Sequence, residues 1–147
     1  MPSSAEFELR EFLPYLLNQA AEQASLGFRR TYRDRYGMLR TEWRVLAHLG
    51  GFGPQTASQI VSRAALHKTK ISRAVRALEA RRFLERHEDD ADRRSAVLHL
   101  THRGQAVYAE LAAAAQAYDA ALAARFPPED QAALRRCLRT LAGFDGG

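Results

Sequence analysis

From Glu6 to about Arg30, apolar residues fall at Leu9, Phe12, Leu13, Leu16, Leu17, Ala20 and Ala24. The spacing of three and four predicts a long helix with one greasy face. Pro14 predicts either a helix start close to itself or a kink in the first turns. A second short piece, helical or irregular, is expected over 31–39, carrying Tyr32 and Tyr36 ahead of a break at Gly37. Thr41 is the expected cap of the next helix, with Glu42 favouring its positive end and Trp43, Leu46, Ala47 and Gly50 on one side. Gly50-Gly51 is expected to stop that helix, and the following GFGP to form a loop.

Thr56 then opens a short helix with Gln59 three residues on, a capping-box spacing, and the helix is expected to end near Ala64. A tight turn at Ala65-Leu66 leads into a further helix over about 67–81, whose apolar side is Ile71, Val75 and Leu78. Two short helices joined in this way make a helix-turn-helix, with the second member shaped for a major groove. After Arg82 the period falls to two. Phe83–Arg86 reads as one strand, DDADRR at 89–94 as a turn, and Ser95–Leu100 as the returning strand of a wing.

Thr101 is the expected cap of a long Ala-rich helix reaching about Arg125, with Val107, Leu111, Tyr118 and Leu122 on one side. Pro127-Pro128 breaks it. A last helix over 129–142 carries the stripe Leu134, Cys137, Leu138 and Leu141 and ends at Gly143. The fold class is therefore mainly α with a small β wing: a winged helix-turn-helix over 41–100 flanked by long helices at 6–39 and 101–142. The flanking helices carry more apolar surface than the winged unit can cover, and a two-fold partner is the simplest cover.

Charge sharpens this picture. Between Arg63 and Arg76 stand five basic side chains, Arg63, Lys68, Lys70, Arg73 and Arg76, and no Asp or Glu. That asymmetry on an exposed helix face suits a phosphate backbone. Lys68, Thr69, Lys70, Ser72, Arg73 and Arg76 are the candidate contacts, and Arg73 suits the two acceptors of guanine. Overall the 147 residues carry a net charge of +5, with a pI near 9.9 and 46% hydrophobic residues, enough for a core.

Other classes fit less well. The opening MPSSAEFELREF lacks the pattern of a signal peptide, and no window resembles a membrane span, so a soluble cytoplasmic protein is expected. Cys137, the single cysteine, sits at apolar spacing and reads as a buried small hydrophobe. The five histidines (His48, His67, His87, His99, His102) have no compact ligand spacing, so neither metal nor other cofactor is expected. Glycine-rich phosphate loops and HExxH are absent and no spacing selects a catalytic triad, so the chain does not read as an enzyme.

Three stretches, TEWRVLAHL at 41–49, TASQIVSRAALHKTKISRAVRALEARRFLER at 56–86 and DDADRRSAVLHLTHRGQAVY at 89–108, resemble the MarR family of winged helix-turn-helix regulators. The most specific part is Asp92-Arg93-Arg94 before the returning strand, then Leu100-Thr101 and Gly104. The resemblance implies a single domain over 1–147 and a homodimer that binds double-stranded operator DNA. It further implies that Asp92 orients the wing arginines, and that Arg93, with Arg94, reaches the minor groove. Three positions depart from the family pattern. His67 and Lys70 stand where acidic or hydroxyl residues are usual at the start of the recognition helix, and Arg82 where glycine usually ends it.

By the same resemblance, a small aromatic or phenolic acid would release the protein from a pseudo-palindromic operator, making it a repressor. The ligand would bind a crevice between the dimerisation helices and the winged unit. Here Tyr15, Asn18, Gln19, Tyr36, Trp43, Arg44 and His48 are the candidate lining, with Arg44 and His48 four apart on one helix. The alternatives are a regulator or activator of the same fold without an effector, and, further off, a metal-sensing regulator.

Overall fold

The computed structural model describes residues 6–89 and 92–144, and their side chains except at 89–95. Those residues form two compact units, 1–112 and 113–147 by chain range. In the first, a 3₁₀ turn at Leu9–Glu11 precedes α1 (Leu13–Tyr36), α2 (Arg40–Phe52), β1 (Gln55–Thr56), α3 (Ala57–Ala64) and α4 (Lys68–Ala80). Then come β2 (Leu84–Asp89), β3 (Asp92–Leu100) and α5 (His102–Ala123), which runs on into the second unit, where α6 (Pro128–Ala142) follows.

Pro14 starts α1 rather than kinking it, since a missing N–H costs nothing in the first turn. The separate piece expected over 31–39 does not exist: α1 continues to Tyr36 and ends on Gly37, whose φ of 63° is left-handed. Thr41 is not the cap of α2. The helix begins one residue earlier, with extended Leu39 as N-cap, so Thr41 lies in its first turn.

Nor does Gly50-Gly51 stop α2, which runs to Phe52 and ends on Gly53. Gly50 serves packing instead: a Cβ there would overlap the ring of Tyr108 on α5. The buried side of α2 is Glu42, Val45, Leu46 and Leu49, with Trp43 half-buried beside it. Tyr32 of α1 stacks on Trp43 with ring centroids 6.3 Å apart, and Phe28 packs on Trp43 at 5.4 Å.

The sheet has a strand the sequence did not announce. Its order is β1-β3-β2, all antiparallel, with Gln55 opposite Leu98 and Thr56 opposite Val97. Two residues are too few for an alternating pattern, and Thr56 signals a helix cap at the same time. The wing strands are also longer than expected, since β3 begins at Asp92 inside the predicted turn.

The core joins these elements: Ile60, Ile71, Val75, Leu78, Leu84, Leu98 and Leu111 are buried, with Met38 and Tyr32 from the α1 side. Arg81 ties α4 to the end of α1, donating to the carbonyls of Tyr36 and Gly37. Its guanidinium also stands 4.0 Å from Glu42 Oε1, a buried oxygen with no hydrogen-bond partner. In the second unit Arg135 bonds Asp119 at 2.8 Å, and the apolar stripe of α6 is exposed. Cys137 is exposed with it, contrary to the buried reading, because one helix pair by itself cannot cover that face.

Candidate nucleic-acid interface

The local chemistry fixes how α4 is presented. Thr56 Oγ1 accepts from Gln59 N (3.2 Å) and Thr56 N donates to Gln59 Oε1 (2.9 Å), a complete capping box that sets the start of α3. Ala65, with φ of 52°, makes the turn in the left-handed region. His67 then caps α4 with its ring: Nδ1 accepts from Thr69 N at 3.2 Å. A histidine can do this in its Nε2–H tautomer, so the helix is capped without placing a negative charge at its start.

Ile71, Ala74, Val75 and Leu78 point inward, as the spacing predicts. Lys68, Thr69, Lys70, Arg73 and Arg76 are exposed on the other side, and Ser72 is half-buried at its margin. None of the ion pairs among the described residues engages Lys68, Lys70, Arg73 or Arg76. The face is therefore a set of uncommitted cations on a rigid helix, suited to phosphate oxygens and base edges. Arg63 is different. Its guanidinium donates to Gln55 Oε1 (3.1 Å) and lies 4.7 Å from the centroid of the Phe52 ring, so it braces α3 against the loop.

The wing joins α4 through Arg82, left-handed at φ 62°. On its strands His87 and His99 stack at 4.0 Å, and His87 Nε2 lies 3.0 Å from Glu85 Oε1. The described residues contain no group of three or more His, Cys, Asp or Glu arranged to hold a metal. Asp92, Arg93 and Arg94 belong to β3, but their side chains lie outside the described residues.

The seven residues expected to line an effector crevice do not converge. Tyr15 is half-buried and Asn18 and Gln19 are exposed in the first half of α1. Tyr36, at its far end, donates to Glu110, a contact that, with burial, raises its phenol pKa. Trp43 is packed by Phe28 and Tyr32. Arg44 donates to the carbonyl of Ala64 (3.0 Å), and burial, then Arg40, lowers its pKa. His48 Nδ1 donates to the Arg44 carbonyl at 2.7 Å. Arg44 and His48 thus already have structural partners.

A different crevice of about 430 Å³ opens on α1 and the α1–α2 connection, and one recognition-helix residue, Lys70, lines it. Sequence spacing could not reveal it, because its walls come from three separated segments.

Residues 36–95 match the model of the MarR family. The structure of the MarR family transcriptional regulator SPO1453 from Silicibacter pomeroyi DSS-3 superposes with a TM-score of 0.82 at 27% identity, over 95% of this chain and 98% of that one. This chain belongs to the MarR family. Such proteins are winged helix-turn-helix regulators rather than enzymes, and the wing, the HTH and the long flanking helices are the family's fold. Bordetella bronchiseptica BpsR has that fold too, with a TM-score of 0.82 at 23% identity over 97% of this chain and all (100%) of that one. The HTH-type transcriptional regulator YkoM of Bacillus subtilis (strain 168) is 39% identical over 69 residues, which span 47% of this chain and 45% of YkoM. Against the MarR pattern, His67 is a working cap, and Arg82 keeps the left-handed backbone that the usual glycine would adopt without strain.

Proposed function

We propose that the chain acts as a homodimeric transcriptional repressor that binds a pseudo-palindromic operator. Each α4 lies in a major groove and each wing, through Arg93 and Arg94 oriented by Asp92, in the adjoining minor groove. The observation that carries this reading is the exposed, acid-free face Lys68, Thr69, Lys70, Arg73 and Arg76, set opposite a fully buried stripe. Dimerisation is supported by the exposed apolar residues Phe7, Leu9, Phe12, Leu13 and Leu16 at one end of the chain. Leu134, Leu138, Leu141 and Phe144 add to them at the other. A second copy is the simplest cover for so much apolar surface.

A small aromatic or phenolic acid releases the operator by binding the DNA-incompetent state better. What supports an effector of this class is the shared fold of BpsR, whose DNA binding is regulated by 6-hydroxynicotinic acid. Its candidate lining around Tyr15, Asn18, Gln19, Tyr36, Trp43, Arg44 and His48 is a proposal of the same standing. A second reading, a regulator without an effector, is favoured by the packing of Phe28 and Tyr32 on Trp43. The protein works in the cytoplasm, where its operator is; among the described residues no helix is long and apolar enough to cross a membrane.

The deciding experiment is a fluorescence-anisotropy titration against duplexes tiling the gene's own upstream region, with scrambled duplex as control. Tight binding to one tile that carries a pseudo-palindrome is the expected outcome. Equal weak binding to every tile, at all salt concentrations, overturns specific operator binding.

A further inference from the structure

The crevice shared by α1, the α1–α2 connection and α4 combines two features rarely found together on a solvated surface. Its floor is apolar: Met38 is fully buried, Tyr32 presents its ring, and Leu26 closes one side. Its rim is cationic, with Arg29 and Arg33 from α1 and Lys70 from α4. One carboxylate, Glu22, also lines it, but Arg40 neutralises it at 3.0 Å. None of the ion pairs among the described residues takes up Arg29, Arg33 or Lys70. A groove that served phosphates alone would not need an apolar floor. At about 430 Å³ the space matches a ligand of one or two rings.

We infer that this crevice binds a small aromatic monocarboxylate, and that Lys70 is contested between that carboxylate and the DNA backbone. The inference rests on the DNA-binding reading above and locates the effector away from the Trp43 set, since none of those seven residues lines this crevice. The ring lies on Met38, Leu26 and Tyr32, and the carboxylate meets Arg29, Arg33 and Lys70 as charge-assisted hydrogen-bond acceptor. A lysine turned inward to a carboxylate cannot also neutralise a phosphate. Ligand and operator then oppose each other by local competition, with no change in the spacing of the two winged units. Linkage makes the opposition reciprocal: DNA weakens the ligand by the factor by which the ligand weakens DNA.

The protein carries its own reporter. Trp43 is the single tryptophan and stacks on Tyr32, whose ring lines the crevice. Titrating the full chain with benzoate, 4-hydroxybenzoate and 1-naphthoate at millimolar concentrations should give a saturable change in Trp43 fluorescence with at least one of them. Benzyl alcohol, without the carboxylate, should give none. Arg29→Ala with Arg33→Ala, and separately Lys70→Met, should each weaken the probe roughly tenfold. All three side chains are exposed, so folding should be retained, and circular dichroism checks it.

In the anisotropy assay the same probe should release the operator in step with crevice occupancy, and Lys70→Met should remove that response. No saturable fluorescence change with any carboxylate overturns the site, as does a change that survives the double substitution. Probe binding that leaves operator affinity untouched overturns the competition. Loss of DNA affinity in the double variant with no probe binding overturns the ligand in favour of a phosphate-contacting groove. If the fluorescence response follows expectation but no duplex binds specifically, the crevice stands and it is the operator reading, and competition with it, that fails.

Discussion

Thr101 Oγ1 donates a 2.6 Å hydrogen bond to the carbonyl of Arg82, and the same oxygen accepts from Gly104 N at 2.9 Å. One hydroxyl thus holds the left-handed residue that enters the wing and caps the helix that leaves it. The neighbouring Phe83 carbonyl, which accepts from Thr101 N at 3.0 Å, lies against Gly104. The end of the recognition helix, both ends of the wing and the start of α5 are thereby one rigid junction.

Arg82→Gly should stabilise the protein. An L-residue at φ 62° pays for a left-handed backbone that glycine adopts freely, a difference of about 1 kcal/mol. A higher urea midpoint with an unchanged slope is the expected result. A lower midpoint would mean that contacts of the Arg82 side chain outweigh the backbone strain.

Gly104→Ala should do the reverse. The added Cβ would overlap the carbonyl carbon and oxygen of Phe83, which are backbone atoms and cannot rotate away. We expect a loss of about 2 kcal/mol or more, in the range of overpacked positions, read from the same urea titration. Gly50→Ala meets the side chain of Tyr108 instead, and the smaller variant Tyr108→Ala should partly restore the Gly50→Ala protein.

Exposed cations on α4 should separate by role. Lys68→Ala should weaken binding to all duplexes alike and reduce the log–log salt slope by about one. Arg73→Ala should cost about tenfold or more on the operator and relax preference at one base pair. Arg63→Ala should leave the salt slope unchanged, because its guanidinium is held by Gln55 and Phe52. A slope that falls for Arg63→Ala as for Lys68→Ala would place Arg63 in the interface.

Tyr32 predicts an alkaline limit. Burial raises its phenol pKa above the ordinary 10.0, against the lowering by Arg40 and Arg29. In the unfolded chain the phenol ionises first, so the unfolded state holds fewer protons as pH rises. The contribution to stability is complete below the unfolded pKa and is lost as pH climbs through the raised folded value. Unfolding free energy should therefore decline above pH 10.0, and Tyr32→Phe should flatten that decline. An identical alkaline limb in the variant would assign it to other groups.

The sequence by itself determined the parts whose cause is local. The Thr56–Gln59 capping box, the inward stripe Ile71, Val75 and Leu78, the cationic face of α4, the double-proline break and the Gly143 stop all follow from spacing within a few residues. Periodicity and capping act over one or two helical turns, so these elements, and with them the winged helix-turn-helix, are legible in the chain. Tertiary structure decided what depends on partners distant in sequence. Gly50 reads as a stop but is a packing contact with Tyr108, and Gln55–Thr56 become a strand only because β3 lies beside them. Arg63 and Arg44 look like free cations until Gln55 and the Ala64 carbonyl claim them. The crevice with Lys70 on its rim draws on α1, the α1–α2 connection and α4, and no local pattern records a cavity whose walls meet only when the core closes.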